Sequence, residues 1–146
     1  PKTGYERTKI GEAYYVINRE DDSMIKITEF NDQEDEQCYD KGNYYSNKMI
    51  AENNARADKL LRCLRQWQAQ NDKPISMSDW KNDKINKYCI AYNYSLNELN
   101  TGMERKLRRP NAIYFSTFQK TEEAIEVFRD ELLWYFTEYQ QRLDEE

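Results

Sequence analysis

Two stretches, GNYYSN at residues 42–47 and AIYFST at residues 112–117, repeat one pattern. Each places an aromatic pair, Tyr44-Tyr45 or Tyr114-Phe115, before two small polar residues and a long segment of helical character. Tyr44 and Tyr114 lie 70 positions apart, as do Ser46 and Ser116. The spacing asks for a doubled unit.

Working outward, each aromatic pair follows a run of β-forming residues. In the first half EAYYVIN and MIKITEF flank the turn REDDS, and Ile25 and Ile27 alternate with Lys26 and Thr28; alternation of this kind reads as a hairpin. In the second half KYCIAYNYS sets Tyr88, Ile90, Tyr92 and Tyr94 on one face and Cys89, Ala91 and Asn93 on the other. Asn100-Thr101-Gly102 reads as the turn there, and MERKLRRPNAIYFST returns the chain.

A helix follows each pair. Ile50, Asn54, Ala57, Leu61 and Leu64 recur at helical spacing, Leu60 and Trp67 widen the stripe, and NDKP at 71–74 ends it. Ser46 or Asn47 serves as its N-cap. Ser76 or Ser78 starts a short helix in the second half. The last helix is expected to bury Ile125, Phe128, Leu132, Tyr135, Phe136, Tyr139 and Leu143, with Thr117 or Thr121 as cap and Glu122 and Glu123 in its first turn. NDQEDEQCYDKG, residues 31–42, has no periodicity and reads as an exposed connection. Matching Tyr14 to Tyr88 gives an offset of 74, close to that of the aromatic pairs.

The expected fold is α+β, with antiparallel strands packed against two long helices. Residues 1–10 read as a polar arm. Residues 11–146 read as a single domain of two loose repeats, about 11–70 and about 75–146.

Composition narrows the function. The chain of 146 residues is 34% charged with a net charge of −5, yet 14% aromatic with 12 tyrosines. Tyrosine closes a core while keeping its hydroxyl bonded, so a folded, Tyr-rich domain is expected. The acidic balance disfavours sequence-independent duplex binding, which needs cations against phosphates. No apolar run reaches the ~20 residues of a membrane span. Three cysteines, Cys38, Cys63 and Cys89, form no CxxC pair and fit free thiols in a reducing cytoplasm.

There is no histidine, which removes the commonest general base and a principal zinc ligand. The four glycines are scattered and form no phosphate-cradling loop. The acidic run at 32–40 lacks the sixth-position glycine and the terminal glutamate of a calcium loop. No catalytic residue, metal or cofactor is expected.

Two charge features remain. Glu20, Asp21, Asp22, Asp32, Glu34, Asp35 and Glu36, with Tyr39, would imitate a nucleic-acid backbone toward a cationic groove in a partner. Arg105, Lys106, Arg108 and Arg109 form a basic cluster, with Tyr92 and Tyr94 available for base stacking.

GEAYYVI at Gly11 to Ile17, GNYYSN at Gly42 to Asn47, and YFST through EEA at Tyr114 to Ala124 with Leu132 to Phe136 together resemble small prophage proteins of Gram-positive bacteria. One departure is the insertion of Phe118 to Lys120 before the T-x-x-E-A-like segment. The resemblance implies a mobile-element origin and no catalytic residue. Small, acidic, non-enzymatic phage proteins are often inhibitors of host defence, and a Tyr-rich, His-free, acidic chain fits that class. The expected function is therefore inhibition of the anti-CRISPR type, acting on a host effector such as a CRISPR nuclease in the bacterial cytoplasm. The alternative reading is a nucleic-acid-binding accessory factor of phage replication or regulation that uses Arg105 to Arg109.

Overall fold

Alternation in AYYVI and MIKIT makes the first hairpin. β1 (Ala13–Ile17) and β2 (Met24–Thr28) pair antiparallel, with Tyr14 opposite Ile27 and Val16 opposite Ile25. The computed structural model, which describes residues 2–145, continues with α1 (Gln33–Asp40), α2 (Lys48–Asn71), α3 (Met77–Lys81), β3 (Lys87–Asn93) and β4 (Glu98–Glu104). β5 (Tyr114–Phe115), α4 (Phe118–Val127) and α5 (Arg129–Thr137) complete the chain. The class is α+β: a two-stranded and a three-stranded antiparallel sheet packed against helices, with β3 between β4 and β5. The chain divides into a first unit, Pro1–Asp58 with Tyr139–Glu146, and a second, Lys59–Glu138; the boundary falls inside α2.

Consecutive residues in extended backbone point to opposite faces, and this decides what each aromatic pair does. In the first unit Tyr45 exchanges both backbone hydrogen bonds with Tyr15, at 2.8 and 2.9 Å. Its ring joins Tyr15, Ile17 and Met24 against Ile50 and Ala51 of α2. Tyr44 takes the other face, stacking on Tyr14 at 4.0 Å beside Val16, Ile27 and Cys38 of α1.

The second unit repeats the arrangement. Phe115 lies opposite Tyr88 and Tyr114 opposite Cys89. Phe115 meets Trp67 edge-on at 6.0 Å on the face where Ile90 and Leu99 join Leu60, Leu64, Ile125 and Leu132. On the opposite face Tyr114 meets Trp80 of α3 edge-on at 4.8 Å. The pairing equates Tyr15, not Tyr14, with Tyr88, so the strand offset is one residue smaller than sequence matching implies. Tyr14 then corresponds to Lys87, and both are wholly buried. The Lys87 ammonium donates to the carbonyls of Asn82 and Arg105, at 3.0 and 2.8 Å, and lies 5.1 Å over the Trp80 ring.

Four local expectations are corrected. Asn100-Thr101-Gly102 do not turn the chain but lie within β4, opposite Ala91, Ile90 and Cys89, and residues 94–97 make the turn. Residues 33–40 are helix α1, not a connection: Asp32 and Asp35 form a reciprocal capping box, which starts a helix without an apolar stripe. The last helix is broken at Phe128, whose φ of −109° and ψ of 18° leave helical geometry while its ring packs on the core. Thr117 caps α4, so Glu122 and Glu123 lie beyond its first turn, and Tyr139 and Leu143 belong to the first unit rather than to the last helix. Asn47 caps α2 through Ile50 N–H at 3.0 Å, and Ser76 caps α3.

Gly4 holds the first unit's start against α2. Its φ is +100°, its carbonyl accepts Ser46 N–H at 2.9 Å, and an added Cβ would lie 2.8 Å from Ile50 Cγ1. Gly4→Ala is therefore expected to cost about 1–3 kcal/mol in urea unfolding, through left-handed strain plus the clash. Gly11→Ala, with φ +91° but open space around it, should cost measurably less.

Candidate functional site

The acidic segment and the basic cluster are held in different ways. Around α1 the carboxylates turn inward. Asp35, 2% exposed, accepts Tyr14 O–H at 2.5 Å, Phe30 N–H at 2.8 Å and Asp32 N–H at 3.2 Å. Glu29, also 2% exposed, accepts Arg7 Nε–H at 2.5 Å, Tyr44 O–H at 2.8 Å and Asn31 N–H at 2.8 Å. Arg7 reaches on to Glu36 at 2.8 Å, and its guanidinium lies 5.3 Å over the Tyr39 ring.

These bonds set the ionisation. The Tyr14 hydroxyl holds Asp35 well below the usual carboxylate range, and Arg7 does the same for Glu29. The Glu29 and Glu36 carboxylates push Arg7 further up. Burial pushes Tyr45 up to about 12, and burial with the Asp35 bond lifts Tyr14 well above the ordinary phenol range.

Asp35 is thus removed from the expected contact surface, because its oxygens are consumed in fixing α1 onto the hairpin. Asp32, Glu34 and Glu36 remain exposed at the start of α1, and Tyr39 stands edge-on to Tyr44 at 5.3 Å. Glu20, Asp21 and Asp22 occupy the β1–β2 turn, where Asp21 accepts Ser23 N–H at 3.0 Å. That turn lies beyond the Ile17–Met24 pair, whereas the start of α1 follows the Ala13–Thr28 end. Five strand residues, ~17 Å, separate the two acidic groups. Sequence reasoning missed Arg7 and Glu29. The available signal was parity, since Glu29 shares a strand face with Ile27.

In the second unit, the basic cluster follows β4. Arg105 donates to Asn86 Oδ1 at 2.9 Å, Lys106 approaches Asp83 at 3.8 Å, and Arg109 pairs with Glu104. Arg108 lies 5.2 Å over the Trp80 ring. Arg108, Trp80, Tyr114, Asn111 and, from α2, Arg65 and Gln68 line a groove of about 450 Å³. Arg65 was not legible as a partner of the cluster, because it sits over 40 positions upstream. Tyr92 and Tyr94 are not brought to this groove. They lie toward the Asn93–Glu98 end of β3, and the cluster follows the Lys87–Glu104 end. Tyr92 stacks on Phe136 at 5.7 Å, and Tyr94 O–H donates to the Phe136 carbonyl at 2.8 Å, leaving its ring exposed.

Charge divides with the units. The first holds 16 Asp and Glu against 9 Lys and Arg, net −7; the second holds 11 against 13, net +2. Cys38, Cys63 and Cys89 are free and half-buried, and burial pushes the Cys89 thiol up, which keeps it protonated at neutral pH. No helix is long and apolar enough to cross a membrane among the described residues. Comparison with protein-family models, curated proteins and solved structures finds no match to this chain.

A depressed carboxylate contributes stability that is complete above its unfolded value, near pH 4, and lost as pH falls through the folded value. Tyr14→Phe removes the largest cause of the Asp35 depression. Below about pH 4 its unfolding midpoint should therefore fall less steeply with acid than that of the unaltered chain. Tyr14 itself, raised in the fold, contributes stability lost above about pH 10, so the variant should also be less sensitive to alkali. Urea melts from pH 2 to 11 check both limbs.

Proposed function

We propose that this chain is a non-enzymatic interaction protein of phage or other mobile-element origin. It inhibits a nucleic-acid-handling defence effector of a bacterial host, in the manner of anti-CRISPR proteins, within the host cytoplasm. The observation that carries this reading is the concentration of negative charge in the first unit, net −7, with exposed Tyr39 in the last turn of α1. Asp32, Glu34 and Glu36 with Tyr39 present carboxylates and one aromatic edge to a cationic groove. Glu20, Asp21 and Asp22 offer a second contact at the far end of the hairpin.

A second reading is favoured by the Arg65–Arg108 groove beside Trp80, in the unit with net positive charge. It assigns the chain to nucleic-acid binding, with phosphates between the two guanidinium groups.

Affinity capture from a host lysate tests the first reading. The captured effector should bind about tenfold or more weakly when salt rises from 0.05 to 0.5 M, because screening shortens the reach of exposed charge. Glu34→Lys should weaken it further. Salt-independent affinity, or an unchanged affinity in Glu34→Lys, would count against it. Gel shifts with single- and double-stranded probes test the second. Binding at micromolar protein that disappears in Arg108→Glu would transfer the assignment to nucleic acid.

A further inference from the structure

The two units differ at one strand edge. In the first, Tyr15 exchanges backbone bonds with Tyr45, and the next peptide on that side, at Ile17, is closed by a side chain. Asn43 Oδ1 accepts Ile17 N–H at 2.8 Å, and Asn43 Nδ2 donates to Ile17 O at 3.1 Å. A carboxamide thus stands in for one residue of a missing strand.

In the second unit Tyr88 holds the place of Tyr15, and Ile90 that of Ile17. The aromatic-pair spacing puts Ile113 in the place of Asn43, and its side chain has neither donor nor acceptor. The ladder between β3 and β5 stops at Cys89 opposite Tyr114. The chain leaves the edge through the Arg109–Ala112 turn, with Pro110 followed by Asn111 at φ +63° and Ala112 N–H on Arg109 O at 3.4 Å. In an antiparallel strand alternate peptides face alternate sides, so those of Ile90 and Tyr92 face away from β4.

A cavity of about 570 Å³ lies along this edge. It touches four consecutive β3 residues, 89 to 92. Neighbours in a strand point to opposite faces, so a cavity touching all four is reached from both faces of β3, and it extends over Gly102, Met103 and Glu104 of β4. On the helix side its walls are apolar, from Leu61, Leu64, Ile113, Leu132, Tyr135 and Phe136, and on the opposite side it is bounded by Glu104, Arg109 and Asn111. Its volume falls in the range of ligand pockets, ~300–1,000 Å³.

We propose that this edge is a peptide-binding site, in which an extended segment of a partner protein, apolar on one face and polar on the other, adds a strand to β3 and pairs with the peptides of Ile90 and Tyr92. The occupant is defined by the first unit, where the group that completes the equivalent edge is an amide, and by the walls, which suit apolar side chains toward Leu64 and Leu132 and polar ones toward Glu104 and Arg109. Strand addition of this kind takes affinity from main-chain bonds and selectivity from the side-chain pockets. The site lies in the second unit and does not depend on the acidic surface.

Amide hydrogen exchange followed by NMR on the full chain tests the assignment. In the free protein, the Ile90 and Tyr92 amides should exchange at least tenfold faster than those of Cys89 and Ala91, which face β4. An acetyl- and amide-capped peptide of alternating valine and threonine, at millimolar concentration, should slow Ile90 and Tyr92 at least tenfold. The same peptide N-methylated on alternate amides should not. Ile113→Asn, which rebuilds the first unit's closure, should protect Ile90 and abolish the peptide effect; Asn43→Ile should expose the Ile17 amide without altering Ile90. Ile90 and Tyr92 amides already protected in free, dilute protein would overturn the proposal. So would protection that rises with protein concentration alone, which would mark a second copy as the occupant. Equal binding of the methylated peptide would reduce the site to an apolar pocket, and no response to millimolar peptide would remove it.

Discussion

Two adjacent aromatic rings in extended backbone cannot share a face, and both units are organised by that constraint. Tyr45 and Phe115 go to the face covered by a long helix, while Tyr44 and Tyr114 go to the other. Each sheet is therefore covered on two sides, and the short elements α1 and α3 exist to cover the second. The hydroxyls of the inward tyrosines then need partners, because a buried polar group without one is costly. Tyr44 Oη accepts Thr8 N–H at 3.0 Å, and Tyr114 Oη accepts Arg109 N–H at 2.9 Å. The same geometry that buries the ring anchors an irregular segment.

Where the units diverge, they diverge in how the second face is finished. At the position shared by Tyr14 and Lys87, one unit places a phenol on a carboxylate and the other an ammonium on two carbonyls. Both are satisfied, by opposite chemistry. The first unit sinks Glu29 and Asp35 into this layer and compensates them with Arg7, two phenols and backbone N–H groups. Burial of carboxylates is tolerated only with such bonding. The small polar residues after each pair show the same economy. Ser46 N–H is taken by Gly4 O, and Ser116 N–H by the Asp72 carboxylate at 2.7 Å.

Much of the candidate surface was legible, but not its membership. The richness in carboxylates of residues 32–36 is plain from the letters, and so is the basic run at 105–109. That Asp35 is spent inside the fold was not, because a capping aspartate and a surface aspartate look alike until Tyr14 is placed above it. Nor was the pairing of Arg65 with Arg108 across one groove, since local spacing carries no information about residues that meet only after the helix packs.

By itself the sequence determined the class, the doubled order of strands and helix, and the long α2, because alternation and helical spacing are local properties of the backbone. It also narrowed each of three helix starts to two candidate caps, of which Asn47, Ser76 and Thr117 serve, since capping is satisfied within one turn. Tertiary structure alone decided that the last helix breaks at Phe128 and that Tyr15 rather than Tyr14 matches Tyr88. Each of these depends on which face a side chain finds covered, and that is settled by partners far away in the chain.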